Sequence, residues 1–144
     1  MFSVTFTPTA SGNRSATISI TDNAGGSPQH LNLTGTGFGP MATLNPTSLS
    51  FGNQNVGTTS GGKGIQLKNT GNAALTISSI VIGGTNATDF AQTNNCPGSL
   101  APGAQCNINV KFSPAASGAR TATLTISDNA TNSPQTASLT GAGQ

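Results

Sequence analysis

Apolar and polar residues alternate along most of the chain. Ala122, Leu124 and Ile126 are interleaved with Thr121, Thr123 and Thr125, and Ala16, Ile18 and Ile20 with their Ser and Thr neighbours. The same period of two runs through Ile108, Val110 and Phe112, through Leu49 and Phe51, and through Ile65 and Leu67. One apolar and one polar face is the signature of a half-buried strand, and β-branched Thr suits extended backbone on the wet side. No stretch sustains the helical period of about 3.6 residues. Turn chemistry separates the runs at Phe51-Gly52-Asn53, Asn69-Thr70-Gly71-Asn72, Gly83-Gly84, Pro114 to Gly118, Asp128-Asn129 and Asn132-Ser133-Pro134. The pattern predicts strands near residues 2–7, 13–21, 29–35, 47–52, 63–69, 74–82, 88–92, 105–112, 119–127 and 135–141. An all-β, antiparallel Ig-like sandwich follows.

The chain also repeats itself. Val4-Thr-Phe-Thr-Pro-Thr-Ala-Ser-Gly12 returns as Val110-Lys-Phe-Ser-Pro-Ala-Ala-Ser-Gly118, and Arg14-Ser-Ala-Thr-Ile-Ser-Ile-Thr-Asp22 as Arg120-Thr-Ala-Thr-Leu-Thr-Ile-Ser-Asp128. The offset is 106 throughout without a gap, and 20 of the 34 positions from Val4 to Gly37 are identical. A unit of that size is one immunoglobulin-like sandwich. Residues 38–144 are therefore read as a complete repeat of about seven strands. Residues 1–37 are read as a partial repeat, the C-terminal third of a preceding unit with about three strands. By the offset, the counterpart of Cys106 falls at position 0. Met1-Phe2-Ser3-Val4 opens on a strand pattern with no basic or apolar leader. The expectation is a processed product or, preferred, a designed excerpt or a piece of a longer array.

Composition narrows the function. Only 6% of the 144 residues are charged, against about 25% in an average domain. Ser (16), Thr (22) and Asn (15) supply the hydrophilic side instead. Five scattered basic residues cannot neutralise a run of phosphates, so nucleic acid is excluded as a partner. No apolar run reaches the roughly 20 residues of a membrane span. One His and three Asp, with no Glu, cannot readily staff a catalytic site, so the chain is read as no enzyme. No cofactor, metal or small-molecule substrate is expected. Sugar platforms favour Trp or Tyr, and the chain has neither. Its six Phe suit packing instead.

Cys96 and Cys106 enclose a Pro/Gly-rich loop without further ligands for zinc. Two readings stand: a disulfide, favoured, or two free buried thiols. The disulfide implies an extracellular or cell-surface setting, with the periplasm as a further option.

Leu44-Asn-Pro-Thr-Ser-Leu-Ser-Phe-Gly52, Val56-Gly57, Leu67-Lys-Asn-Thr-Gly71 and Leu75-Thr-Ile77 resemble the bacterial ASH-like repeats, named for ASPM, SPD-2 and hydin. Cys96, Leu100-Ala-Pro-Gly103, Cys106, Val110-Lys-Phe-Ser-Pro114 and Leu139-Thr-Gly141 extend the likeness over nearly the whole chain. The resemblance implies a tandem Ig-like sandwich of large surface or secreted bacterial proteins, the choice-of-anchor D type. The family's cysteine pair matches Cys96 and Cys106, and it has no catalytic residues to carry over.

Other candidates have plain readings. Asp22 and Asp128, each followed by Asn, fit an Asx-turn better than a calcium site, which wants several converging oxygens. Arg14 and Arg120 are candidates to pair with those aspartates or to cover the sheet edge. His30 aligns with Thr136, so the repeat does not require it. Lys63, Lys68 and Lys111 have only Asp89 to support an isopeptide bond, which disfavours one. Asn13, Asn32, Asn86 and Asn129 head glycosylation triplets of the kind an Asn/Ser/Thr-rich chain yields freely.

The functional candidate is the partial repeat. Phe2, Val4, Phe6, Ala16, Ile18, Ile20, Leu31 and Leu33 would form an apolar face that three strands cannot bury alone. A neighbouring repeat, a second copy or another chain is expected to cover it. Head-to-tail completion by another chain would build a filament or surface layer, and pairing of two partial repeats a closed dimer. The alternatives are a passive spacer or adhesin-stalk repeat and, trailing both, a carbohydrate-binding module.

Overall fold

The computed structural model describes all 144 residues. In its first 37, β1 (Gly12–Ile20) and β2 (Gln29–Gly37) form an antiparallel hairpin, a sheet of its own. Nine further strands follow: β3 (Ala42–Asn45), β4 (Ser48–Gln54), β5 (Lys63–Asn69), β6 (Leu75–Gly83), β7 (Phe90–Asn94), β8 (Ser99–Leu100), β9 (Gln105–Phe112), β10 (Gly118–Asp128) and β11 (Gln135–Gly143). They build a sandwich of a five-stranded sheet, β4-β11-β10-β6-β8, facing a four-stranded sheet, β3-β5-β9-β7.

Pro46 cannot donate to a ladder, so the first strand of the sandwich breaks there. β3 stays with β5 in one sheet, while β4 crosses to the other and runs parallel to β11, Leu49 opposite Leu139. The period-two pattern becomes the core directly. Cys106, Ile108, Val110 and Phe112 of β9 and Ala122, Leu124 and Ile126 of β10 are buried, and the intervening polar residues are not. Phe112 stacks on Phe90 at 4.8 Å between ring centres and meets Phe51 at 5.8 Å, closing one end of the core. At the other end Cys96 and Cys106 are bonded to each other, Cα atoms 4.9 Å apart.

Three expectations are corrected. Residues 2–7 form no strand. Their counterparts in β9 are held between β5 and β7, and the hairpin has no such neighbours. Residues 38–144 hold nine strands where seven were expected, because β3 is cut short by Pro46 and β8 is a two-residue pairing inside the cysteine loop. Residues 88–92 begin as a short 3-10 turn, Ala87–Asp89, before the strand starts at Phe90.

Candidate assembly site

The hairpin copies its counterpart in detail. Asp22 Oδ1 accepts from Ala24 N at 2.8 Å and Ser27 Oγ accepts from Asp22 N at 2.9 Å. Asp128, Ala130 and Ser133 make the same pair of bonds at the same distances. Both aspartates thus shape Asx-turns. Arg14 donates to Ala10 O and Ser11 O, as Arg120 donates to Ala116 O and Ser117 O. Phe6 lies over Gly35 as Phe112 lies over Gly141.

The surroundings differ sharply. In the sandwich Val110, Phe112, Leu124, Ile126 and Leu139 are all 0% exposed. Their counterparts Val4, Phe6 and Ile20 are 54%, 52% and 41% exposed, with Leu31 at 56% and Phe2 at 88%. Ile18 and Leu33 are partly buried and Ala16 is exposed. The register sets Ile18 opposite Leu31 and Ala16 opposite Leu33, so these four share one face. Val4, Phe6, Ala16 and Leu33, together with Arg14 and Gly35, line a cleft of about 230 Å³. Phe2 lies outside it. His30 is exposed on β2.

The arginines do not pair with Asp22 and Asp128, one of the two roles open to them. Arg120 Nε lies 3.5 Å from Asp89 Oδ2, the one salt bridge of the chain, and Asp89 is buried. Both arginines start a strand while Asp22 and Asp128 lie just past or at its far end, beyond reach. Asp89 also caps the β9–β10 loop, Oδ1 accepting from Ala115 N and its carbonyl from Ser113 N.

Between the units, the linker is held by the β5–β6 turn. Asn72 Nδ2 donates to Gly37 O and Asn72 Oδ1 accepts from Gly39 N, both at 2.9 Å. Asn69 is wholly buried and satisfied by Ala73 O, Leu100 O and Gly71 N. Asn132 exchanges two bonds with the backbone of Ala42. In a chain with few charges, the amide serves as a piece of movable backbone that ties loops together. The turn was legible in Asn69-Thr70-Gly71-Asn72, but nothing local in those letters showed what Asn69 and Asn72 would hold.

No cluster of three or more His, Cys, Asp or Glu occurs, and no helix is long and apolar enough to cross a membrane. A family model, Cep192 domain 4, matches residues 39–144. The chain belongs to the Cep192 domain 4 family. Its sandwich is similar to the ASH/PapD-like domain 7 of human CEP192, with a TM-score of 0.54 and 16% identity over 72% of this chain and 84% of that one. A Porphyromonas gingivalis protein of unknown function matches 93% of this chain and 67% of its own, with a TM-score of 0.61 and 13% identity. The secreted serine protease VesC of Vibrio cholerae has a TM-score of 0.51 at 20% identity over 74% of this chain. Only 23% of the VesC chain is involved. At these identities the likeness is one of fold. No curated protein matches the sequence. As a Cep192 domain 4 member the chain is an ASH-like, Ig-like module of a kind that is typically non-catalytic.

Proposed function

We propose that the chain is a structural repeat module of an extracellular or cell-surface protein, and that it joins a filament or surface layer when another chain completes residues 1–37. One observation carries this reading: the face that is the sealed core of the second unit stands open, on the same local scaffold, in the first. An apolar face beside two unpaired strand edges favours association. The disulfide favours an oxidising compartment. Light scattering after size exclusion, with negative-stain images of the same fractions, tests it. Oligomers or filaments that disappear when residues 1–37 are deleted support assembly through that face. A monomer of 14.2 kDa at every concentration, whose apolar face takes up no partner chain, overturns it.

A second reading rests on the clamped linker. With Asn72 holding both sides of Phe38, successive units would stack at a set angle, which suits a spacer in a tandem array.

A further inference from the structure

The second unit shows what the surroundings of the first should contain. Phe112 is enclosed by the rings of Phe90 and Phe51, and Arg120 by the carboxylate of Asp89. Asp89 and Phe90 are consecutive, so a single dipeptide at the start of a strand brings both the charge and the principal ring. Counterparts of the residues that receive them are present in the first unit. Phe6 is half exposed with no ring beside it, and Arg14 has no carboxylate partner. Both line the open cleft of about 230 Å³ with Val4, Ala16, Leu33 and Gly35.

Resting on the completion proposed above, we infer that this cleft is the seat of an Asp–Phe pair, carried by the front segment of a like unit, one with the pattern of residues 39–106. The repeat offset sets the register. A strand like β6 lies antiparallel to β1, its counterparts of Ile82 and Ile80 opposite Ile18 and Ile20. A strand like β4 lies parallel to β2, its counterpart of Leu49 opposite Leu33. The counterpart of Phe90 falls opposite Phe6 and converts residues 4–6 into a strand.

Swapping front segments between copies gives no net cover. Each chain has one front segment, residues 39–106, and two versions of the back, residues 4–37 and 110–143. Exchange between copies uncovers one back for every one it covers. The inferred occupant is a front segment additional to the one each chain carries.

The test joins an extra copy of residues 39–106 directly ahead of Met1, the position the offset assigns to it. Hydrogen exchange of β1 and β2 should slow by at least about a hundredfold, toward that of β10 and β11. Nuclear Overhauser contacts should link Phe6 with the added Phe90. Asp89→Asn in the added copy alone should return part of the protection and release Arg14. If the unextended chain self-associates with β1 and β2 protected, and the extended chain associates equally, a second copy covers the face. That overturns this inference and leaves completion by another chain standing. If β1 and β2 stay unprotected in both chains, both readings fall.

Discussion

Asn72 grips the peptide groups on either side of Phe38: its amide nitrogen donates to Gly37 O and its amide oxygen accepts from Gly39 N. The linker between the two units is therefore tied to the β5–β6 turn. Asn72 N also donates to Gly39 O, and Thr70 N to Met41 O, so the turn and the linker are zipped together. Gly71 makes room for this, since a Cβ there would collide with the backbone of Gly39 and Met41. Asn72→Ala should cost about 1–2 kcal/mol through two lost bonds. It should also broaden the distribution of angles between hairpin and sandwich in small-angle scattering. Gly71→Ala should free the linker more fully, raising hydrogen exchange at Gly39 and Met41 while β5 to β11 keep their protection.

The disulfide closes a short loop that also carries β8, whose Leu100 pairs with Leu75. Its loss loosens the unfolded chain and lets that loop fray. Replacing Cys96 and Cys106 by Ser should destabilise the sandwich by about 2–3 kcal/mol on the loop-entropy scale. Urea unfolding with and without reductant should show the same difference in the native chain and none in the double variant.

The two stacked Phe–Gly pairs offer a controlled comparison. A Cβ on Gly141 would sit 2.5 Å from Phe112 Cε1, and one on Gly35 2.8 Å from Phe6 Cζ. Phe112 is sealed by two other rings and cannot retreat, so Gly141→Ala should cost about 1–3 kcal/mol by overpacking. Phe6 is half exposed and can swing away, so Gly35→Ala should leave the melting temperature of the chain unchanged. Equal effects in calorimetry would mean that Phe6 is already enclosed in solution.

The alternating letters carried most of the fold, because each sheet of the sandwich wets one face and period-two alternation records which. Ala122, Leu124 and Ile126 belong to the core on their spacing alone. Residues 2–7 show where that inference stops: Val4 and Phe6 alternate as well as Val110 and Phe112, yet a strand needs neighbours to pair with, and alternation does not supply them. The 106-residue offset pointed to the open face, since it aligned residues 4–37 with residues 110–143, whose apolar side chains are core. The partner of Arg120 was not legible. Asp89 lies 31 positions away in another element, and only the sandwich topology brings the two together.

That pair gives the last expectation. Asp89 is 4% exposed and Arg120 17%, so neither charge is well served by water. Removing one member leaves the other buried and uncompensated, which costs more than the attraction itself contributes. Asp89→Ala should therefore destabilise the chain by about 2–4 kcal/mol, including the lost bond from Ala115 N. Arg120→Met, which keeps the stem but removes the charge, should cost nearly as much, because Asp89 then keeps an unpaired carboxylate. The double variant should cost less than the sum of the two, since removing the second charge relieves the first. Arg14→Met, on the same scaffold but without a carboxylate, should leave urea unfolding unaltered. A double-mutant cycle with additive losses would mean that Asp89 acts only as a cap for the β9–β10 loop, and would place the arginine's contribution in its bonds to Ala116 and Ser117 alone.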